Sequence, residues 1–469
     1  MKLIFTFFFL SIFSFYNAIS QDDLNQVIIV NGGQFGNPAE QTNIASFNPT
    51  TMDYNVFDTI PVNSVQHIVI ENDFAYVAAQ DFIVKYDLDT YERVAITDFP
   101  GVSAHQIALS EDFVYATNYY GQTEDNLYVF NKSDLTIVDT VHEISAPEGT
   151  MVVFGNSLYI GQNQKGTIDN CAPWGCFNDT LGYLAEVNLS THQFVQNHNL
   201  DNNGAETGRL VATDTRILSL NGNSGTITSF NPNNGTSTLV NFNGSIETGR
   251  YKNETAVVDN NILSLFDGGI GVLNADFDSA SVVIDTATTA FAFDYLNDVF
   301  YITSTDYFSY TDLYVFNGDG SFQYELPIGY APEAIGIHYN NSPVGNNFET
   351  ESDDTIIITI ADIATDLDGD LIEGNEIIDA PVNGAVTFLP NGELMYRSFS
   401  VGSSDFFRVE VCDNKLNPLC TFINVTISGA TPVVDQLFES VGIYPNPVAD
   451  LLNIKHPVAK SLYTIYDVL

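Results

Sequence analysis

His67-Ile-Val-Ile-Glu-Asn-Asp-Phe-Ala-Tyr-Val77 and Gln106-Ile-Ala-Leu-Ser-Glu-Asp-Phe-Val-Tyr-Ala116 are two copies of one pattern. A short apolar strand runs into a turn carrying Asp or Asn, and a second strand of Tyr-Val type follows. The continuations also match: Phe82-Ile-Val-Lys-Tyr-Asp-Leu-Asp-Thr90 against Leu127-Tyr-Val-Phe-Asn-Lys-Ser-Asp-Leu-Thr136. Each ends a strand on Asp or Asn and then makes a Thr-containing turn. Later copies put Leu158-Tyr-Ile160, Ile217-Leu-Ser219, Ile262-Leu-Ser264 and Tyr301-Ile302 in the second-strand position. Counted at Tyr76, Tyr115, Tyr159, Ile217, Ile262 and Tyr301, the copies lie 39, 44, 58, 45 and 39 residues apart. Four short strands in roughly 40–45 residues is the size of a β-propeller blade. No such sheet is stable alone, but sheets stacked face to face around an axis bury both faces. A tandem array of β-sandwiches is the competing reading.

Val27-Ile-Ile-Val30 reads as the second strand of a blade that lacks its innermost strand, which brings the number of blades to seven. Ala334-Ile-Gly-Ile-His338 reads as an innermost strand with no blade behind it. Pairing the two closes the ring and removes two exposed edges. With this pattern and closure, residues 21–340 resemble the seven-bladed propellers of the YVTN/YncE-like class, which implies a fold but no activity. The 58-residue gap holds Cys171-Ala-Pro-Trp-Gly-Cys176, read as a stapled loop inserted in the blade of Tyr159.

Asn341-Ser-Pro-Val-Gly-Asn-Asn347 opens a different unit ending near Gly429, with alternating strands and Gly/Asn turns suited to a small sandwich. It resembles the cadherin-like or Ig-like modules of bacterial surface proteins. Asp366-Leu-Asp368-Gly-Asp370 is its sharpest chemical feature. Three carboxylates within five residues repel one another, and a hard cation with oxygen ligands relieves that repulsion. Calcium is the cofactor expected there, with Asp413 as a further ligand. The twelfth position from Asp366 is Ile377 where a helical calcium loop needs Glu, so the motif is not an EF-hand. The rival reading is a solvated acidic turn. Cys412 and Cys420, like Cys171 and Cys176, have the spacing of local loop staples in an oxidising compartment. No His lies nearby in zinc-finger spacing.

The two ends read as addresses. Lys2, the apolar run from Leu3 to Phe15 and the small-x-small site Ala18-Ile19-Ser20 make residues 1–20 a signal peptide. That run is shorter than the ~20 residues of a membrane span. After a linker at 430–440, Val441-Gly-Ile-Tyr-Pro-Asn-Pro-Val-Ala-Asp450-Leu-Leu-Asn-Ile454 resembles the C-terminal sorting domain of the type IX secretion system. Residues 441–469 match part of that domain, which ordinarily runs on past a segment like Ile465-Tyr-Asp-Val-Leu469. The resemblance implies the type IX machinery as a partner and a cell-surface or released protein.

In a propeller the chain enters each innermost strand at a mouth of the central channel. That places Gln66-His67, His105-Gln106, Glu148, Glu206 with Arg209, Glu247 with Arg250, and Glu333 at the mouth, with His67, His105, Glu148, Glu206, Arg209, Glu247, Arg250 and Glu333 as candidate ligand residues. Glu-Thr-Gly-Arg occurs twice, at 206–209 and 247–250, and Arg is scarce here, so the two copies read as equivalent. Either Arg can pair with Glu or hold a ligand carboxylate or phosphate. The bland alternative is a wet channel mouth lined by paired charges. His67 with His105 is a weaker metal candidate, and Trp174 is either a binding aromatic or packing for its own loop.

The chain has 469 residues, 59 Asp+Glu against 14 Lys+Arg, and a formal charge of −45. Phosphate binding runs on Lys and Arg, so nucleic acid is excluded as a natural partner, and no transmembrane span is expected. A 45% hydrophobic, 13% aromatic chain fills a core, and length alone suggests about three domains. There is no nucleophile elbow, phosphate-cradling loop or His-Glu-x-x-His, so no catalytic set is assigned. The expectation is an all-β protein: a seven-bladed propeller, a cadherin/Ig-like sandwich and a partial sorting domain, acting as a surface binding module for ligand capture or adhesion. The alternatives are capture of cobalamin or another nutrient in the funnel, and a propeller lyase or glycosidase using funnel carboxylates. Mass spectrometry of the exported chain should give an N-terminal peptide starting at Gln21; one retaining Lys2 would overturn the signal peptide.

Overall fold

The structure is a computed structural model. It describes residues 23–429, apart from segments at 101–102, 119–126, 145–149, 166–178, 201–206, 223, 248–253, 352, 401 and 416–417, together with strands at 442–444 and 453–455. The proposed signal peptide, the Cys171–Cys176 loop with Trp174, and most of the sorting-domain match lie outside the described residues. The chain divides into two compact units, one spanning Asp22–Asn341 and the other containing Ser342–Leu469.

The first unit is a seven-bladed β-propeller. Seven four-stranded antiparallel sheets are formed by the described residues. Their innermost strands are Pro332–Asn340, His67–Glu71, Ala104–Leu109, Met151–Phe154, Arg209–Ala212, Thr255–Val258 and Ala290–Asp294, for blades one to seven in turn. Each innermost strand touches those of both neighbouring blades, so the ring is closed. Seven apolar clusters fill the seven gaps between blades. Tyr76, Tyr115, Tyr159 and Tyr301, the residues that marked the repeat, are all buried in these clusters.

Local chemistry explains the repeat. Asn72, Asp259, Asn260 and Asp298 take positive φ in the turns that join first and second strands, a conformation Asn and Asp tolerate better than most residues. At the next turn but one, the side-chain oxygen of Asn48, Asp87, Asn131, Asn188 or Asn231 accepts backbone N–H groups two or three residues on, at 2.8–3.0 Å. That is the reason the third strands of blades one to five end on Asp or Asn before the turn.

Closure is made by the predicted pair. Asp23–Asn31 runs antiparallel to Pro332–Asn340, with Val27 opposite Ile337, Ile29 opposite Ile335 and Val30 opposite Ala334. A buried polar clasp reinforces the join. His338 Nε2 lies 3.0 Å from Asp73 Oδ1 in blade two, and Gln26 Nε2 lies 3.1 Å from His338 Nδ1. Gln26 Nε2 also donates to Leu88 O, and Tyr91 OH donates to Gln26 Oε1. The clasp thus links both ends of the first unit to blade two.

The second unit contains a small sandwich. One sheet orders Phe348–Glu351, Cys420–Ser428, Asp405–Asp413 and Ile372–Asp379; the other orders Thr355–Ile358, Leu394–Ser398 and Gly384–Phe388. Tyr396, Phe407, Val409, Val411, Ile423 and Val425 form its core. Cys412 and Cys420 form the expected disulfide between paired strands. Gly442–Tyr444 pairs antiparallel with Asn453–Lys455. No helix among the described residues is long and apolar enough to cross a membrane.

Ile29 is fully buried at the closing pair. Ile29→Ala should cost about 2–5 kcal/mol of stability in urea unfolding, whereas Ile137→Ala, on an outermost strand and half exposed, should stay within about 0.5 kcal/mol. Equal effects would overturn the closed ring.

Candidate functional site

The pairing registers identify one equivalent position at the head of each innermost strand. His67, Gln106, Thr150, Arg209 and Glu254 occupy it in blades two to six. Each directly precedes the residue paired with Val77, Ala116, Ile160, Ser219 or Ser264, and so lies ten residues before that second-strand residue. Ala290 takes the position in blade seven and Ala334 in blade one, since Phe291 and Ile335, like Ile68, pack against the preceding blade. Five polar residues in a row, then two alanines, make the neck of the channel chemically lopsided.

An innermost strand is a sheet edge, and its outward N–H groups need acceptors. Side chains from the preceding blade supply some of them. Ile107 N donates to His67 Nδ1 at 3.3 Å, and Leu210 N donates to Thr150 Oγ1 at 2.5 Å. These bonds join blade two to three and blade four to five. His67 and Thr150 therefore have a structural task whatever else they do.

Gln106 and Arg209 are different. Arg209 Nη1 donates to Gln106 Oε1 at 3.4 Å across the neck. Gln106 is 2% exposed, yet its Nε2 meets no acceptor among the described residues. Both side chains line a cavity of about 240 Å³ with His67, Thr150 and the innermost-strand segments at Met151, Val152, Leu210 and Val257. Burial depresses the Arg209 pKa, and the charge of Glu254 works against that. Burial, then the charges of Arg209 and His105, push the His67 pKa well below its usual value. The ring is therefore neutral at pH 7, and with Nδ1 accepting from Ile107 its proton sits on Nε2.

The structure redistributes the sequence candidates. His67 and Arg209 reach the neck as expected. His105 is buried beside them, but Gln106 and not His105 lines the cavity. His67 commits Nδ1 to Ile107, so that nitrogen is not open to a metal shared with His105. Glu333 is turned away from the cavity and packs on Gly32, where a Cβ would lie 2.7 Å from its carboxyl. Glu247 is an exposed residue whose N–H bonds Leu265 O, eight positions before its innermost strand starts at Thr255. The two Glu-Thr-Gly-Arg copies are thus out of register: Arg209 begins its strand, and its true counterpart is Glu254. Glu148, Glu206 and Arg250 lie outside the described residues. Thr150 and Glu254 were missed because the eye follows repeated words. The constant ten-residue offset from the second strand was the available signal.

In the second unit, Asp366, Asp368 and Asp370 each bring a carboxylate oxygen within 4.8 Å of the others. Gly369 at φ +83° makes the turn that gathers them. Burial raises the Asp366 pKa, the charges of Asp368 and Asp413 raise it further, and the N–H groups of Asp368 and Asp370 pull it back. Asp366 Oδ2 is buried without a hydrogen-bond partner. Lys415 Nζ lies 3.0 Å from Asp370 Oδ1 and already offsets one charge. Asp413 accepts N–H bonds from Lys415 and Leu419 in its own loop. The oxygen-only donor set and the orphaned Asp366 oxygen suit a hard cation.

No family model and no curated protein matches this chain. Among solved structures it is similar to a functionally unknown protein from Desulfotomaculum acetoxidans, at 14% identity and TM-score 0.48, over 67% of this chain and 99% of that one. It is similar to apo AztD from Citrobacter koseri at 10% identity and TM-score 0.46, over 68% and 98%. It is also similar to the dihydro-heme d1 dehydrogenase NirN, at 12% identity and TM-score 0.44, over 86% and 75%.

The buried His67 predicts a pH effect of definite sign. Above the unfolded pKa of about 6.5 the ring is neutral in both states. As pH falls below it, the unfolded chain binds a proton that the folded chain does not, so stability is lost toward acid. His67→Gln should remove that slope, up to about 1.4 kcal/mol per pH unit. Urea midpoints at pH 5, 6 and 7.5 that run parallel for the two proteins would overturn it.

Proposed function

We propose that this chain is a secreted surface protein, exported by the type IX route, whose propeller captures a small ligand at the channel neck. One observation carries the reading: the Gln106 amide, buried at the neck cavity with a donor that no described protein group satisfies. Leaving such a donor unmet costs about 1–3 kcal/mol, and a ligand acceptor would remove that cost. The pairing of Gln106 with Arg209 across three blades supports the same view, because it presets both groups before anything binds.

The alternatives fit less well. A cavity of about 240 Å³ is far too small for a corrinoid, so cobalamin would have to rest on the mouth above it. A lyase or glycosidase using Glu247 has no enclosed site at that residue, which is exposed. Adhesion leaves the buried amide unexplained.

In the second unit we propose calcium at Asp366, Asp368 and Asp370, stiffening the loop that precedes strand Ile372–Asp379. Its positive charge would offset carboxylate repulsion across the loop, as the Lys415 ammonium does at Asp370.

Two measurements check these readings. Saturation-transfer NMR against a mixed panel of small neutral, cationic and anionic compounds should find binders that Arg209→Met abolishes. A silent panel, or binders indifferent to that change, would remove the neck as a ligand site. Calcium should raise the thermal midpoint of the chain relative to EDTA, and Asp368→Asn should erase most of the difference. An unchanged shift in that variant would place the ion elsewhere.

A further inference from the structure

Two residues are enough to join the second and third strands of a blade: Gln80-Asp81 in blade two and Asp267-Gly268 in blade six. Blade seven instead uses residues 304–309, and blade one residues 32–41. Length beyond what a turn needs is where binding loops are found. Thr303 pairs with Ala290 and Val30 with Ala334, so both loops leave the propeller on the side of the channel neck. They are also neighbours. Gly33 N donates to Tyr330 O, Ala331 N donates to Ser309 O, and Tyr310 OH donates to Glu40 Oε2 at 3.0 Å.

Both loops hold aromatic rings out in water. Phe35 is 81% exposed, Phe308 74%, Tyr310 64% and Tyr307 45%. The backbone beneath them is tied down. Gln34 N donates to Glu40 O and Asn37 N to Gln34 O, while Asn63 Nδ2 donates to the carbonyls of Asn37 and Glu40. In the other loop Asp306 Oδ1 accepts Phe308 N and Ser309 Oγ, and Thr311 Oγ1 donates to Ser304 O. Rings exposed together on a fixed backbone contribute little to folding, but they are preset for a partner.

Area, charge and shape identify that partner. At about 200 Å² for a whole aromatic residue, the four rings expose roughly 500 Å². That is less than the ~800 Å² each side of a stable protein–protein interface buries. Residues 32–41 and 304–310 contain Glu40 and Asp306 and no Lys, Arg or His. An acidic polymer or a phosphate-bearing surface would meet repulsion there with no counter-charge. An aromatic cage for an organic cation surrounds its guest, and Phe35 and Phe308 are too exposed to enclose anything. A sugar ring with equatorial hydroxyls meets all three conditions. Its C–H bonds point out of a flat face toward the negative faces of the aromatic rings. Its hydroxyls lie around the edge, where the Glu40 and Asp306 carboxylates keep lone pairs for donors beyond those they already accept.

We propose that these two loops, with Tyr310, form a platform for a neutral polysaccharide of flat, equatorially substituted sugars, such as a β-linked glucan. The chain stacks on Phe35, Phe308 and Tyr310 and donates hydroxyls to Glu40 and Asp306. The platform shares no residue with the neck cavity and does not depend on the ligand proposed there.

The test is affinity electrophoresis of the full chain in native gels containing mixed-linkage β-glucan or, separately, polygalacturonate. The β-glucan should retard the protein and the anionic polymer should not. The double variant Phe35→Ala/Phe308→Ala removes only exposed rings, with urea midpoints recording that it folds, and should raise the apparent dissociation constant for β-glucan at least tenfold. Phe399→Ala, which strips a ring 73% exposed in the sandwich, should leave retardation unchanged. Wild-type protein that β-glucan does not retard, or equal retardation of the double variant, would overturn the platform. Stronger retardation by polygalacturonate would overturn the choice of a neutral sugar. Tetramethylammonium should give no saturation-transfer signal that depends on these rings. Such a signal without glucan retardation would make the surface a cation site and overturn the sugar assignment.

Discussion

Everything in the propeller depends on one antiparallel pairing between segments about three hundred residues apart. Blade one is built from both ends of the first unit, with Pro332–Asn340 laid beside Asp23–Asn31. Without it, the strand Asp23–Asn31 would be an open edge, and Ile28, Ile29 and Val30 would lose a covering neighbour. The apolar clusters on either side of blade one also draw on the closing strand: Ala334 in one and Ile335 in the other. The buried Gln26–His338–Asp73 clasp adds direction to this burial, because its bonds form in a single register.

Closure creates a second constraint, which leads to function. Seven innermost strands face the axis, each with an unpaired edge in a narrow space. Side chains at the strand heads cap some of that edge, as His67 and Thr150 do for the following blade. Gln106 and Arg209 stand at the same position but bond to each other across the neck. His67 and Thr150 meet that structural demand, whereas ligand recognition is the role proposed for Gln106 and Arg209. Ala290 and Ala334 themselves add no polar side chain on the opposite side of the neck.

Scarce cations are placed with purpose in so acidic a chain. Arg93 holds Asp58 between blades one and two, Lys132 holds Glu71 between blades two and three, and Lys415 holds Asp370 in the sandwich. Surface pairs of this kind add little stability each, but each lowers local repulsion where carboxylates crowd. Arg209 is 5% exposed at the neck, where its charge is felt far more strongly than at the surface.

Sequence alone determined the blade pattern, the number of blades, the closing strand and the disulfide Cys412–Cys420. Those follow from alternation, turn chemistry and spacing, which are local properties repeated along the chain. The neck was only partly legible. His67 and Arg209 could be named because they begin strands, but a duplicated Glu-Thr-Gly-Arg drew attention to Glu247 and away from Glu254. Which side chain at a strand head turns into the channel, which caps a neighbour and which packs on Gly32 was decided by the tertiary structure. That choice depends on the register of one blade against the next, and the chain's local patterns do not encode the distance between residues brought together from different blades.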